Sequence, residues 1–187
     1  RLGIKTLTDP DRYGLTLVLG GGEVKLLELA GAYGVFASNG VLNPATPILK
    51  VTNSAGETLE EYTPDPHPAL EPQVAREISD ILSDQNARAP AFGVGSALYF
   101  SERSVAVKTG TTNDYRDAWV IGYTPNVVAG VWVGNNDNTS MEKKVAGFIA
   151  APFWNAFLTE IFKDLPREEF LPPAPTNPAK PLLKGEW

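Results

Sequence analysis

The sequence predicts a mixed α/β chain with helices packed on an antiparallel sheet, and three observations carry that reading. Residues 105–112, 117–125 and 127–135 are rich in Val, Ile, Trp and Tyr and read as consecutive strands. Thr124-Pro125-Asn126 is a turn sequence, so the later two strands form a meander with the first. Helical spacing of apolar residues recurs at 23–38, 72–87 and 150–162, on both sides of the strand block.

Each element has a local reason. The opening Arg1-Leu2-Gly3-Ile4, without methionine or leader, sets the expectation of a segment from a longer protein. Residues 9–22 are turn-rich, with Asp9-Pro10-Asp11 and the run Gly20-Gly21-Gly22. That run reads as a packing loop rather than a phosphate cradle, because no strand precedes it and no Gly-Lys-Ser/Thr follows. Glu23 is expected to open a helix to about Ser38, its carboxylate favoured near the positive helix end. Leu26, Leu29, Ala30, Tyr33 and Ala37 make one apolar face, and Val24, Leu27 and Val35 a second, which predicts cover on most sides. Asn39-Gly40 supplies the stop.

Alternation over 46–52 and 58–62, around Asn53-Ser54-Ala55-Gly56, predicts a β-hairpin. Residues 63–72 are proline-rich and hold the one histidine. His67 stands between two prolines and reads as exposed loop rather than a catalytic base. Pro72 starts a helix to about Ala87, with Val74, Ile78, Ile81 and Leu82 inward. Residues 89–103 read as a loop carrying Phe92, Leu98, Tyr99 and Phe100. The strands from Asp117 and Val127 are apolar on both faces and need cover on both. Helix 150–162 offers a stripe of Ala150, Trp154, Phe157 and Ile161, with Pro152 acceptable only in its first turn. Residues 163–187 are proline-rich and read as an extended, mobile tail or linker without chemistry, leaving 1–162 as the folded part.

Composition excludes several classes. The chain has 187 residues, 43% of them apolar and 20% charged, as a soluble globule does. A net charge of −6 argues against a nucleic-acid or anionic-membrane partner. With no cysteine there are no disulfides and no thiolate metal sites, which suits an extracytoplasmic protein without requiring one. No run is long enough to be a transmembrane helix.

The chemistry concentrates at the end of the first strand. Lys108 supplies fixed positive charge, and the hydroxyls of Thr109 and Thr111 suit a carboxylate. Gly110 lets another backbone approach closely and pair alongside. An N–H near Thr111 is placed to meet a developing oxyanion. Thr112, Asn113, Asp114 and Arg116 follow as polar turn residues beside the groove, while Asp117 and Trp119 read as supports for the sheet.

These residues carry a resemblance. The string KTGTTNDYRDAWVIGYTPNVVAGVWVGNND, from Lys108, resembles the Lys-Thr-Gly strand region of penicillin-binding proteins of the class A, bifunctional type. Residues 19–37, LGGGEVKLLELAGAYGVFA, are similar to the family segment after its second catalytic motif. The resemblance covers about residues 1–162. It implies an α/β (α+β) domain, helices on a mainly antiparallel sheet, of the penicillin-binding and serine β-lactamase-like transpeptidase fold, of which this is the later portion. It also implies a serine DD-transpeptidase acting on peptidoglycan stem peptides and acylated by β-lactams. Lys108 and the Thr111 N–H would be catalytic; Thr109, Gly110, Thr111 and Thr112 would bind substrate. The loop 89–103 would flank the groove. No metal or organic cofactor is implied. A membrane anchor, a glycosyltransferase domain and the first half of the transpeptidase domain would lie upstream, on the outer face of the bacterial cytoplasmic membrane.

The family's nucleophile motif is Ser-x-x-Lys and its proton shuttle Ser-x-Asn. No Ser-x-Asn occurs. Ser140-Met141-Glu142-Lys143 matches Ser-x-x-Lys but follows the Lys-Thr-Gly strand, in a polar stretch, where the family order places the nucleophile well before it. It reads as a decoy. The nucleophile is therefore expected on a preceding segment or companion chain, and this chain alone is expected not to acylate. Competing readings are a DD-carboxypeptidase or serine β-lactamase-like hydrolase, a non-catalytic β-lactam sensor or scaffold, and a module that binds peptides along an edge strand.

Overall fold

A computed structural model describes residues 1–175. Its centre is a sheet of β5 (Ala106–Thr111), β6 (Asp117–Thr124) and β7 (Val127–Gly134), ordered β5-β6-β7 and antiparallel throughout. The two-residue turn pairs Thr124 with Val127, and that register runs on to Trp119 opposite Trp132 and Asp117 opposite Gly134. On the other side of β6, Ala106 pairs with Tyr123 and Thr111 with Ala118. Side chains alternate between faces, so the sheet has two distinct sides.

One face is closed. Val107, Ala118, Val120 and Ala129 are buried there under α5 (Ala146–Ile149) and α6 (Ala151–Ile161). Trp154 is fully buried, and its Nε1 donates to the Ala129 carbonyl at 3.0 Å. Gly122 makes room for the ring: a Cβ there would lie 2.3 Å from Trp154 Cζ2. Phe100 meets Trp154 edge-on at 5.5 Å and Phe162 at 5.1 Å. The helix forms where expected, with Pro152 in its first turn, but the buried stripe is Ala151, Trp154 and Leu158. Phe157 is 54% exposed, because packing on the sheet selected the neighbouring stripe of the same helix.

The other face is covered at one end only. There α2 (Leu26–Ala37) and α3 (Pro72–Ser83) surround the fully buried Tyr123, with Tyr33 and Phe36 ring centroids at 6.0 and 6.3 Å. Ser79 Oγ donates to the Ala75 carbonyl at 2.8 Å and lies 3.0 Å from Tyr123 Oη, so the phenol donates to it. Burial pushes the Tyr123 pKa up to about 12. Leu26 fills the space above Gly130.

Several boundaries differ from expectation. The helix expected from Glu23 begins at Leu26, and Glu23 pairs with Arg12 at 2.7 Å instead. Only Ala32 and Val35 of α2 are buried, and Leu27 is largely exposed, so that helix lacks the all-round cover its sequence asks for. Within the turn-rich 9–22 stretch, the Asp9 side chain caps a short α1 (Pro10–Tyr13), followed by a 3-10 turn at Gly14–Leu19. The hairpin forms as β2 (Lys50–Thr52) and β3 (Thr58–Glu61). A two-residue bridge joins β1 (Val41–Leu42) to β4 (His67–Pro68), where His67 is exposed.

The helix expected over 72–87 is two. It stops at Ser83, and Asp84 caps α4 (Gln85–Phe92) by accepting from the Ala87 N–H at 3.0 Å. The loop expected from 89 thus starts after Phe92, and its Leu98 and Phe100 enter the closed-face core. Beyond α6, residues 163–174 lie along the domain. The Pro166 carbonyl accepts from Arg103 Nη1 and Asn126 Nδ2, both at 2.9 Å. Phe170 meets Tyr123 edge-on at 5.6 Å, and Ala174 N–H donates to Gln73 Oε1 at 2.8 Å. Residues 176–187 of the expected linker are outside the described residues. Among the described residues no helix is long and apolar enough to cross a membrane.

Candidate active site

Lys108, Thr109, Gly110 and Thr111 lie together on β5, with Thr112 just past its end, and β5 pairs with β6 along one side only and so leaves its other edge open among the described residues. Which backbone groups face that edge follows from one hydrogen bond. Thr112 N–H donates to the Asp117 carbonyl at 3.1 Å, so Thr112 faces β6. Backbone direction alternates along a strand, hence Gly110 and Lys108 also face β6, while the N–H and C=O of Thr111 and Thr109 face outward. The outward Thr109 carbonyl accepts from Lys108 Nζ at 2.6 Å, as this geometry requires.

Side chains complete the edge. Lys108, Gly110 and Thr111 are exposed and Thr109 is half-buried. Thr111 Oγ1 accepts the Ala146 N–H at 2.9 Å, which fixes the hydroxyl and leaves its hydrogen free to donate. A Cβ on Gly110 would make only ordinary contact, 3.5 Å from Trp119 Cβ, so the fold itself has no need of glycine there. Open space beside this strand is what the glycine preserves. The edge thus offers a cation, a donor hydroxyl and an unpaired N–H to an extended, anionic ligand.

Thr112 is built differently. Its hydroxyl donates to Asp117 Oδ2 at 2.9 Å and accepts the Asp117 N–H at 2.8 Å. Asp117 Oδ1 in turn accepts from Trp132 Nε1 at 2.8 Å. The one hydrogen of the Thr112 hydroxyl is thereby committed inside the chain, and the turn that follows carries left-handed backbone at Asp114 (φ 60°) and Tyr115 (φ 58°). Asp117 and Trp119 support the sheet as expected, and Asp117 does so through Trp132, a strand residue to which the sequence assigns no further role. Its signal was the turn at Pro125-Asn126, which sets the register that places Trp132 beside Asp117.

Ser140 and Lys143 lie in an exposed, non-helical stretch, without the helical turn that would set the amine under the hydroxyl. Arg116 Nη1 bonds the Asn138 carbonyl at 2.6 Å, and Met141 N–H bonds the Tyr115 carbonyl at 3.0 Å. This segment braces the turn after β5. Among the described residues no cluster of His, Asp or Glu could hold a metal ion.

Comparison with known proteins agrees with this architecture. Residues 15–158 match the family described as the penicillin binding protein transpeptidase domain. Penicillin-binding protein 1A of Aquifex aeolicus is 37% identical over 161 residues, 84% of this chain and 22% of that protein. Penicillin-binding protein 4 of Bacillus subtilis is 33% identical over 138 residues, 73% of this chain and 21% of that protein. The chain therefore spans about a fifth of the length of these relatives. Among solved structures, the PonA1 protein of Mycobacterium tuberculosis in complex with penicillin V superposes with a TM-score of 0.74 at 25% identity, covering 86% of this chain and 44% of that one. Fold, strand chemistry and sequence converge, and the chain belongs to the penicillin-binding protein transpeptidase domain family.

Proposed function

We propose that this chain forms one wall of the acyl-transfer site of a serine DD-transpeptidase that cross-links peptidoglycan stem peptides and is acylated by β-lactams. The observation that carries the reading is the open β5 edge, with Thr111 N–H facing outward beside Lys108 and the uncrowded Gly110. In this reading a stem peptide ending in D-Ala-D-Ala lies along the edge as an added strand. The hydroxyls of Thr109 and Thr111 donate to its terminal carboxylate, or to the equivalent carboxylate of a β-lactam, and Lys108 supplies the countercharge. Thr112 holds the exit of the strand in place of a direct substrate contact.

The serine oxygen attacks the penultimate D-Ala carbonyl, and its proton passes through the neighbouring base to the departing D-Ala amine. The carbonyl oxygen, negative at the tetrahedral stage, receives the Thr111 N–H. An amine from a second stem then attacks the ester and releases the serine. The nucleophile, its lysine and the Ser-x-Asn motif belong to a preceding segment of the same domain, for which this chain has no equivalent. Two surfaces suit that segment: the outer edge of β7, unpaired among the described residues, and the apolar side chains Leu15 and Leu19, each 91% exposed. The complete protein would act on the outer face of the cytoplasmic membrane, anchored through another segment.

The test compares fluorescent penicillin labelling of the complete protein carrying Lys108→Ala with that carrying Lys108→Arg. Labelling should fall by about a hundredfold or more for the alanine and less for the arginine, as removal of a charge-stabilising group does. Unchanged labelling of Lys108→Ala would remove β5 from the site.

A further inference from the structure

We infer that Asp117 is a positioning residue for acyl transfer: with Trp132 and Thr112 it sets the direction of the Thr111 N–H. The inference rests on the transpeptidase reading above, in which that N–H meets the oxyanion.

The arrangement is a relay across three strands. Asp117 is the first residue of β6 and takes hydrogen bonds on both carboxylate oxygens, from Thr112 Oγ1 at 2.9 Å and Trp132 Nε1 at 2.8 Å. Its own N–H, which the ladder would give to a backbone carbonyl of β5, goes to Thr112 Oγ1 at 2.8 Å. Thr112 N–H answers to the Asp117 carbonyl at 3.1 Å. Two residues thus exchange three bonds at the last rung, and the peptide fixed there is the one joining Thr111 to Thr112. Thr112 follows the oxyanion donor by one residue, so rotation at this rung swings the Thr111 N–H out of line.

The surroundings give this rung a task beyond ending a sheet. Left-handed backbone at Asp114 and Tyr115 puts strain into the connection immediately after Thr112. An unanchored strand end would relieve that strain by turning Thr111 and Thr112. Trp132 reaches Asp117 only because position 134 is glycine: a Cβ there would lie 2.6 Å from Trp132 Cζ2 and 3.0 Å from the Arg116 carbonyl. On the opposite side, Ala146 N–H holds Thr111 Oγ1 at 2.9 Å. The catalytic N–H is therefore clamped between a side-chain bond at its own residue and the Asp117 rung at the next.

The experiment uses the complete protein and separates the non-covalent dissociation constant of a penicillin from the first-order acylation rate constant by stopped flow. Thr112→Val keeps shape and deletes both hydroxyl bonds; Thr112→Ser keeps them; Asp117→Ala removes the anchor from the other side. Thr112→Val and Asp117→Ala should each lower the acylation rate constant by about ten- to a hundredfold, short of the loss from deleting a donor outright. Their dissociation constants should stay within about threefold, and Thr112→Ser should recover near wild-type acylation. Wild-type rates in Thr112→Val, or a loss confined to the dissociation constant, would overturn the positioning role. A wild-type protein that no penicillin acylates would instead overturn the transpeptidase reading beneath it.

Discussion

The two faces of the β5-β6-β7 sheet obey different rules. The closed face, from Val107 to Trp154, is saturated: its residues are buried and the one indole N–H is bonded. The opposite face runs from the equally buried Tyr123 to an uncovered end holding Lys108, Gly110 and a Trp132 that is 39% exposed. Gly122 and Gly110 express the contrast in one residue type. At Gly122 a methyl group would collide with Trp154 at 2.3 Å and with the Ala106 carbonyl at 2.8 Å; at Gly110 it would meet a single atom at 3.5 Å. The interior of the chain requires one glycine and not the other.

The comparison is most sharply broken by substitutions on the closed face. Trp154→Ala removes the largest buried side chain and should cost about 3–5 kcal/mol in urea unfolding. Gly122→Ala overpacks the same contact and should cost about 1–3 kcal/mol. Gly110→Ala should leave unfolding within about 0.5 kcal/mol of wild type, yet slow acylation of the complete protein by a penicillin. A large destabilisation at Gly110 would erase the distinction between the faces.

The covered end of the second face should respond to pH. Burial raises the Tyr123 pKa from 10.0 to about 12, so the folded state holds the proton more tightly than the unfolded chain. Its contribution is complete below about pH 10 and is lost as pH climbs toward 12. Tyr123→Phe should flatten that alkaline loss in a pH series of unfolding. A smaller, acid-side effect belongs to Glu28, whose carboxyl is held below the usual range first by the Lys5 N–H, then by the hydroxyl and N–H of Thr6. That anchoring is present above the ordinary carboxylate range and lost as pH falls through the lowered value. Glu28→Gln should speed amide exchange at Lys5 and Thr6 with little global change.

Legibility in the sequence followed the range of the interactions. The two later strands could be read because each is apolar on both faces and the turn at Pro125-Asn126 is local. The break at Asp84 was hidden inside one continuous amphipathic pattern, and α4 tolerates Pro90 internally, against propensity. Phe157 and Leu158 are both apolar, and only the sheet decides which faces inward. Contacts such as Pro166 with Asn126, or Ala174 with Gln73, span distances in sequence that no local pattern records. At the site, the placement of Lys108, Thr109, Gly110 and Thr111 on one strand was legible, since the alternation from Val105 onward marks it. The different partners of the Thr111 and Thr112 hydroxyls were not, because adjacent threonines differ only in which way a strand turns them.

The most direct test of the account locates the acylated residue. The complete protein is exposed to a fluorescent penicillin, digested, and the labelled peptide identified by mass. The account predicts that the label lies on a serine preceding residue 1 and that this chain alone takes up none. Label on Ser140, or on any serine within this chain, would contradict the assignment of β5 as one wall of a site whose nucleophile lies elsewhere.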